Sequence, residues 1–96
     1  MKSISLSEYV PVINAISEAD DIYGKICGSL KEDDVLVDFS GIRFISTNCA
    51  KHIFGRLILQ LGQENFYNKI TLSNACDNVK VSINTGIESA LTEGFS

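Results

Sequence analysis

Ninety-six residues are enough for one hydrophobic core and too few for two. With 45% apolar and 21% charged residues, the composition is that of a globular chain, neither disordered nor fibrous. Eight Lys and Arg against twelve Asp and Glu give a net charge of −4, which excludes the dense positive field that sequence-independent binding to nucleic acid or anionic lipid requires.

Residues 1–96 read as a single domain. Residues 2–6 alternate, with Ile4 and Leu6 on one face, and predict a short strand. Residues 10–16 are rich in β-branched side chains, but Pro11 cannot donate a ladder hydrogen bond, so an edge strand or an irregular segment is expected there. A helix follows, with Ser17 as its N-cap, Asp20 three residues later, and acids at 18, 20 and 21 complementing the dipole. Ala19, Ile22, Tyr23, Ile26, Cys27 and Leu30 form its apolar stripe, and Gly24 and Gly28 fall on the solvent side.

After the charged turn 31–34, Val35-Leu36-Val37-Asp38-Phe39 is nearly continuous in apolar side chains and predicts a central strand covered on both faces. The chain turns at Ser40-Gly41, and a second helix is expected over 47–61. Its core side carries Cys49, Ala50, Ile53, Phe54, Leu57, Ile58 and Leu61, and Gly62 stops it. Residues 63–68 read as loop and 69–73 as a strand. Ser73 or Asn74 should cap a last helix near 76–92 with Val79, Ile83, Ile87, Ala90 and Leu91 inward. This order predicts an α/β fold: a small mixed β-sheet of three to four strands with about three helices packed on it.

Three cysteines, Cys27, Cys49 and Cys76, and a single histidine, with no C-x-x-C, leave no spacing for a structural zinc site and fit a reducing compartment. Met1–Glu8 lacks the apolar run of a signal peptide and no segment is long enough to span a membrane, so a soluble cytoplasmic protein is expected. No cofactor is called for, and the oligomeric state stays open.

In an α/β layer, ligands and partners meet the carboxyl ends of strands and the amino ends of the helices that follow. That locus holds Asp38, Ser40, Ser46 and Thr47, candidates for a modification or anion site; Ser46 or Thr47 serves equally well as a plain helix cap. On a regular helical wheel Asn48, His52, Gly55 and Leu59 fall in one line opposite the core stripe, flanked by Lys51 and Arg56. An exposed leucine beside a bare glycine on a polar face predicts a partner-binding surface. With Lys51, His52 and Arg56 on one helix and acids at 18–21 and 32–34, the surface should be polarised. Cys49 and His52 are three apart, but the wheel sends the thiol inward and the ring outward, with no orienting acid evident. No enzyme is expected.

The stretch from Val35 to Ala50, with its Asp38-Phe39-Ser40-Gly41 and Phe44-Ile45-Ser46-Thr47-Asn48-Cys49, resembles the signature segment of STAS domains (sulfate transporter and anti-sigma-factor antagonist). Closer still is its similarity to small bacterial STAS-like domains of unknown function. The resemblance implies a non-enzymatic regulator of the anti-sigma-factor-antagonist kind. Such a regulator docks a protein partner, a histidine-kinase-like ATPase or anti-sigma-type protein, through the 47–61 helix and the loop before it. It also implies that Asn48 stands where the family carries its phosphorylated serine, Thr47 in the place of the serine before it, Ser46 in that of an aspartate and Cys49 in that of a glycine. Asparagine cannot accept a phosphate, so the hydroxyls of Thr47 and Ser46 are the remaining acceptors. The alternative is a small sensor of anions or nucleotides, or a minimal enzyme, using the strand-end pocket around Asp38, Ser40 and Thr47.

Overall fold

The computed structural model describes residues 1–94. Five strands, β1 (Lys2–Ser5), β2 (Val12–Ile13), β3 (Val35–Asp38), β4 (Phe44–Ile45) and β5 (Ile70–Ser73), are interspersed with helices α1 (Ile16–Leu30), α2 (Thr47–Ala50), α3 (Arg56–Leu61), α4 (Gln63–Lys69) and α5 (Asp77–Glu93), in the order β1-β2-α1-β3-β4-α2-α3-α4-β5-α5. A π-helical turn, Lys51–Gly55, joins α2 to α3, so 47–61 is one continuous helix with a wide turn in its middle.

The α/β class holds, with a difference in the sheet. It is not mixed: β1, β3 and β5 form a parallel sheet in the order β1-β3-β5, and β2 pairs with β4 in a separate parallel ladder. The segment around Pro11 therefore does contribute a strand, in the smaller sheet. Pro11 precedes that strand, and its carbonyl accepts from Arg43 N–H at 2.7 Å.

The sheet is also covered on one face, where the apolar run of β3 predicts two. Val35 and Val37 point into the core with Ile70, while the rows Ser3–Leu36–Thr71 and Ser5–Asp38–Ser73 occupy the other face. Ser3, Ser5 and Thr71 are exposed on that face. Its hydroxyls can hydrogen-bond water, so it needs no second helical layer.

One cluster of buried side chains, including Phe39, Phe54 and Phe66, Ile22 and Ile26 of α1, Ile45 of β4, and Ile53 and Ile58 of the 47–61 helix, fills the space beneath. Each large side chain buried there contributes roughly 1.5–3 kcal/mol relative to solvent. Phe54 stands at the centre, with Phe39 at 6.1 Å and Phe66 at 6.4 Å between ring centroids.

Local chemistry moves several boundaries. Helix α1 starts one residue before the expected cap: Ala15 is the N-cap, and Glu18 reaches back so that its Oε1 accepts from Ala15 N–H at 3.3 Å. Ser17 lies inside the first turn and Asp20 is not a capping acid.

Residues 63–68 are helical rather than loop. Gly62, at φ 83°, ends the 47–61 helix, and the chain restarts as α4 around one apolar anchor, Phe66. Asn65 Nδ2 donates to Leu61 O at 3.1 Å, satisfying a carbonyl at the end of α3. A two-turn helix with one buried side chain has no periodicity to read.

The cap of α5 is Cys76, not Ser73 or Asn74, and Leu91 lies on its exposed side. All three cysteines are free thiols: Cys49 is buried, Cys27 half-buried and Cys76 exposed.

Candidate functional site

The carboxyl end of β3 closes through a tight turn. Ile42 N–H donates to Phe39 O at 2.9 Å, and Gly41 takes φ 83°, where a side chain would be strained and its Cβ would lie 2.8 Å from Val10 Cγ1. Asp38 Oδ1 organises this end. It accepts from Ser40 N–H at 2.9 Å, from Ser40 Oγ at 2.7 Å and from Asn74 Nδ2 at 3.0 Å. These bonds, the one from Asn74 first, hold the Asp38 carboxyl below the usual carboxylate range. Asp38 and Ser40 thus satisfy each other and tie the end of β3 to the residue after β5, which sits at φ 58°. A carboxylate at the centre of this cluster repels an anion rather than cradling one.

Ser46 is the cap of the 47–61 helix. Its Oγ accepts from Cys49 N–H at 3.1 Å and its carbonyl from Ala50 N–H at 2.9 Å. Its own N–H donates to Ile13 O at 2.9 Å, fixing the entry to the helix from the smaller sheet. Thr47 and Asn48, the next two residues, are exposed, and so is Phe44 on β4, with 44% of its surface accessible.

The line Asn48–His52–Gly55–Leu59 does not survive as a surface. Asn48 and Leu59 are exposed at its ends, but Gly55 is buried against α5, where a Cβ would lie 2.7 Å from Ala90 Cβ. The wheel assumes a regular α-helix, and the π turn breaks that regularity. Arg56 N–H reaches Lys51 O, five residues back, so the turn holds an extra residue. Ile53, Phe54 and Gly55 are all buried in succession because α1 and α5 pack on opposite sides of the turn.

The basic residues of this helix are likewise engaged within the molecule. His52 Nε2 lies 2.5 Å from Asp20 Oδ1 of α1, and Arg56 Nη1 donates to the same oxygen at 3.3 Å. The Arg56 guanidinium also stacks over the Tyr23 ring, 3.9 Å from its centroid. Lys51 Nζ pairs with Glu93 Oε2 of α5 at 3.8 Å. The expected polarised surface is therefore locally compensated, acid to base, across the helix contacts. Cys49 is buried and His52 faces Asp20, so the two do not form a thiol–imidazole pair.

Asp20, Asn74, Gly86 and Glu93 are the contributors that sequence reasoning missed. Only Gly86 carried a local signal: a glycine in the middle of a helix, which asks for a packing reason. That reason is its approach to the π turn, where a Cβ would come within 2.6 Å of Lys51 N and 3.0 Å of Ala50 C.

Residues 18–80 match the model of the STAS-like domain of unknown function (DUF4325). The chain belongs to that family. No curated protein and no solved structure matches it. The match spans α1 through the first turn of α5, so the Asp38 cluster and the helix start at Ser46–Asn48 both lie within the STAS-like segment. No described helix is long and apolar enough to cross a membrane, no described group of His, Cys, Asp and Glu could hold a metal ion, and no pocket opens among the described residues.

Proposed function

We propose that this STAS-like domain is a non-enzymatic regulatory module of the cytoplasm that docks a protein partner through the start of its 47–61 helix and the loop before it. The observation that carries the reading is the exposure of Phe44, Thr47 and Asn48 in sequence around the capped helix start. A half-exposed aromatic beside polar side chains is suited to a macromolecular partner. His52 and Gly55 face neighbouring helices, so the docking area shifts from the middle of the helix to Phe44, Thr47 and Asn48.

The resemblance to anti-sigma-factor antagonists supplies the class of partner, a histidine-kinase-like ATPase or anti-sigma-type protein. It also directs attention to a hydroxyl at this end. Ser46 Oγ is committed to the Cys49 N–H, whereas Thr47 is exposed in the first turn, where a phosphate gains from the helix dipole.

Affinity capture from the native cell tests the reading, comparing the wild type with Phe44→Asp and Thr47→Glu. One protein retained by the wild type and lost from both variants is the expected result. Retention unchanged in both overturns the assignment of this end. Intact-mass measurement after incubation with ATP and cell extract should show one phosphate, absent from Thr47→Val. A phosphate that persists in that variant places the modification elsewhere.

A further inference from the structure

We propose that the π turn Lys51–Gly55 is a conformational relay, in which the seating of α5 and the hold of Asp20 set how the helix presents Thr47 and Asn48. This rests on the reading that those two residues form the docking end. A π turn inserts one extra residue into a helix, and the backbone alone does not decide where the insertion sits, because the hydrogen bonds are equally satisfied one turn away. Tertiary contacts must pin it.

Here they do so from both sides. Gly86 brings α5 against the backbone of Ala50 and Lys51, and Gly55 in turn admits Ala90. On the other side one carboxylate oxygen, Asp20 Oδ1, holds both His52 inside the turn and Arg56 immediately after it. Moving the insertion towards the amino end would turn the residues it passes around the helix axis and break the Ser46 cap, which is anchored separately to Ile13. The docking end and the two flanking helices are therefore coupled through a segment with two ways of satisfying its own backbone, and coupling of this kind runs in both directions.

Hydrogen exchange on the full chain tests this without a partner. The amides of Cys49 and Ala50, bonded to Ser46, report the docking end; those of Ile53 to Arg56 report the turn, and those of Val35 to Val37 report global opening. Gly86→Ala should speed exchange at both the turn and the docking end by about tenfold or more, while the β3 amides speed up by the factor that the fall in global stability sets. Asp20→Asn should reproduce the pattern at roughly threefold, and it adds no atoms to the core if Gly86→Ala fails to fold. Acceleration of the turn with the docking end unchanged overturns the relay. Either result is independent of affinity capture: a relay seen here with no partner retained there would leave the coupling standing and the docking assignment lost.

Discussion

On its α5 side the 47–61 helix meets backbone at the limit of van der Waals approach, whereas on its α1 side it meets charged side chains that lie partly in water. Gly86 and Gly55 make the first contact possible, with the charged pair Lys51–Glu93 beside it. The second contact is Asp20 with His52 and Arg56, backed by Arg56 over Tyr23 and by Gln60 Nε2 donating to Tyr23 OH. Side-chain exposure of 58% at Asp20 and 32% at Arg56 leaves that network open to solvent screening. One flank is thus held by shape and the other by electrostatics, and the two should respond to different perturbations.

The sharpest way to break the comparison is to add one carbon to the close flank. Gly86→Ala should lose roughly 1–3 kcal/mol, because a methyl 2.6 Å from Lys51 N forces backbone apart, and that outweighs the gain in helix propensity. Thermal unfolding should register it as a fall of several degrees, unchanged by salt. An unaltered midpoint would mean that α5 slides freely and that the contact is not close-packed. The matching change on α1 should have the opposite sign. Gly24 has nothing within 4 Å of an added Cβ, so Gly24→Ala should raise stability by about 0.5–1 kcal/mol in the same measurement.

These contrasts also show what a sequence can disclose. The strands β1, β3 and β5, the helix 47–61 and a hydroxyl cap at Ser46 or Thr47 were legible because each rests on neighbours along the chain: alternation, an apolar run, a hydroxyl before a periodic stretch. The burial of Gly55 was not, because it depends on Gly86 and Ala90 from another helix and on a turn that departs from regular spacing. The partner of His52 was hidden for the same reason. Asp20 looks like a capping acid in sequence, and only the packing of α1 across the helix turns it towards the ring. Within the candidate site, exposure at Asn48 followed from the helical wheel, while the closing of Asp38 onto Asn74 needed the β3–β5 register.

On the α1 flank, Asp20→Asn should lower stability by about 0.2–1 kcal/mol at low ionic strength. Urea titrations at about 1 M salt should shrink that difference by more than half, since the pairs are partly exposed and the screening length falls to about 3 Å. A salt-independent loss would show that Asp20 acts through hydrogen bonding and shape, and the contrast between the two flanks would disappear.

The smallest effect belongs to a third contact, the Asp38 cluster, which is electrostatic in origin but local in reach. Hydrogen bonds from Asn74 and Ser40 depress the folded-state value of this carboxyl, so its contribution is present above the unfolded value of about 3.9 and is lost as pH falls through the lower folded value. Asp33 is depressed too, chiefly by its bond to the N-terminal amine, so a bare acid titration cannot isolate Asp38. The difference between wild type and Asp38→Asn can. The wild type should be the more stable at pH 6, and the gap should close below about pH 4, with little change on adding salt because the donors are in direct contact. A gap that holds constant into strong acid would assign the role of Asp38 to the shape of its turn rather than to its charge.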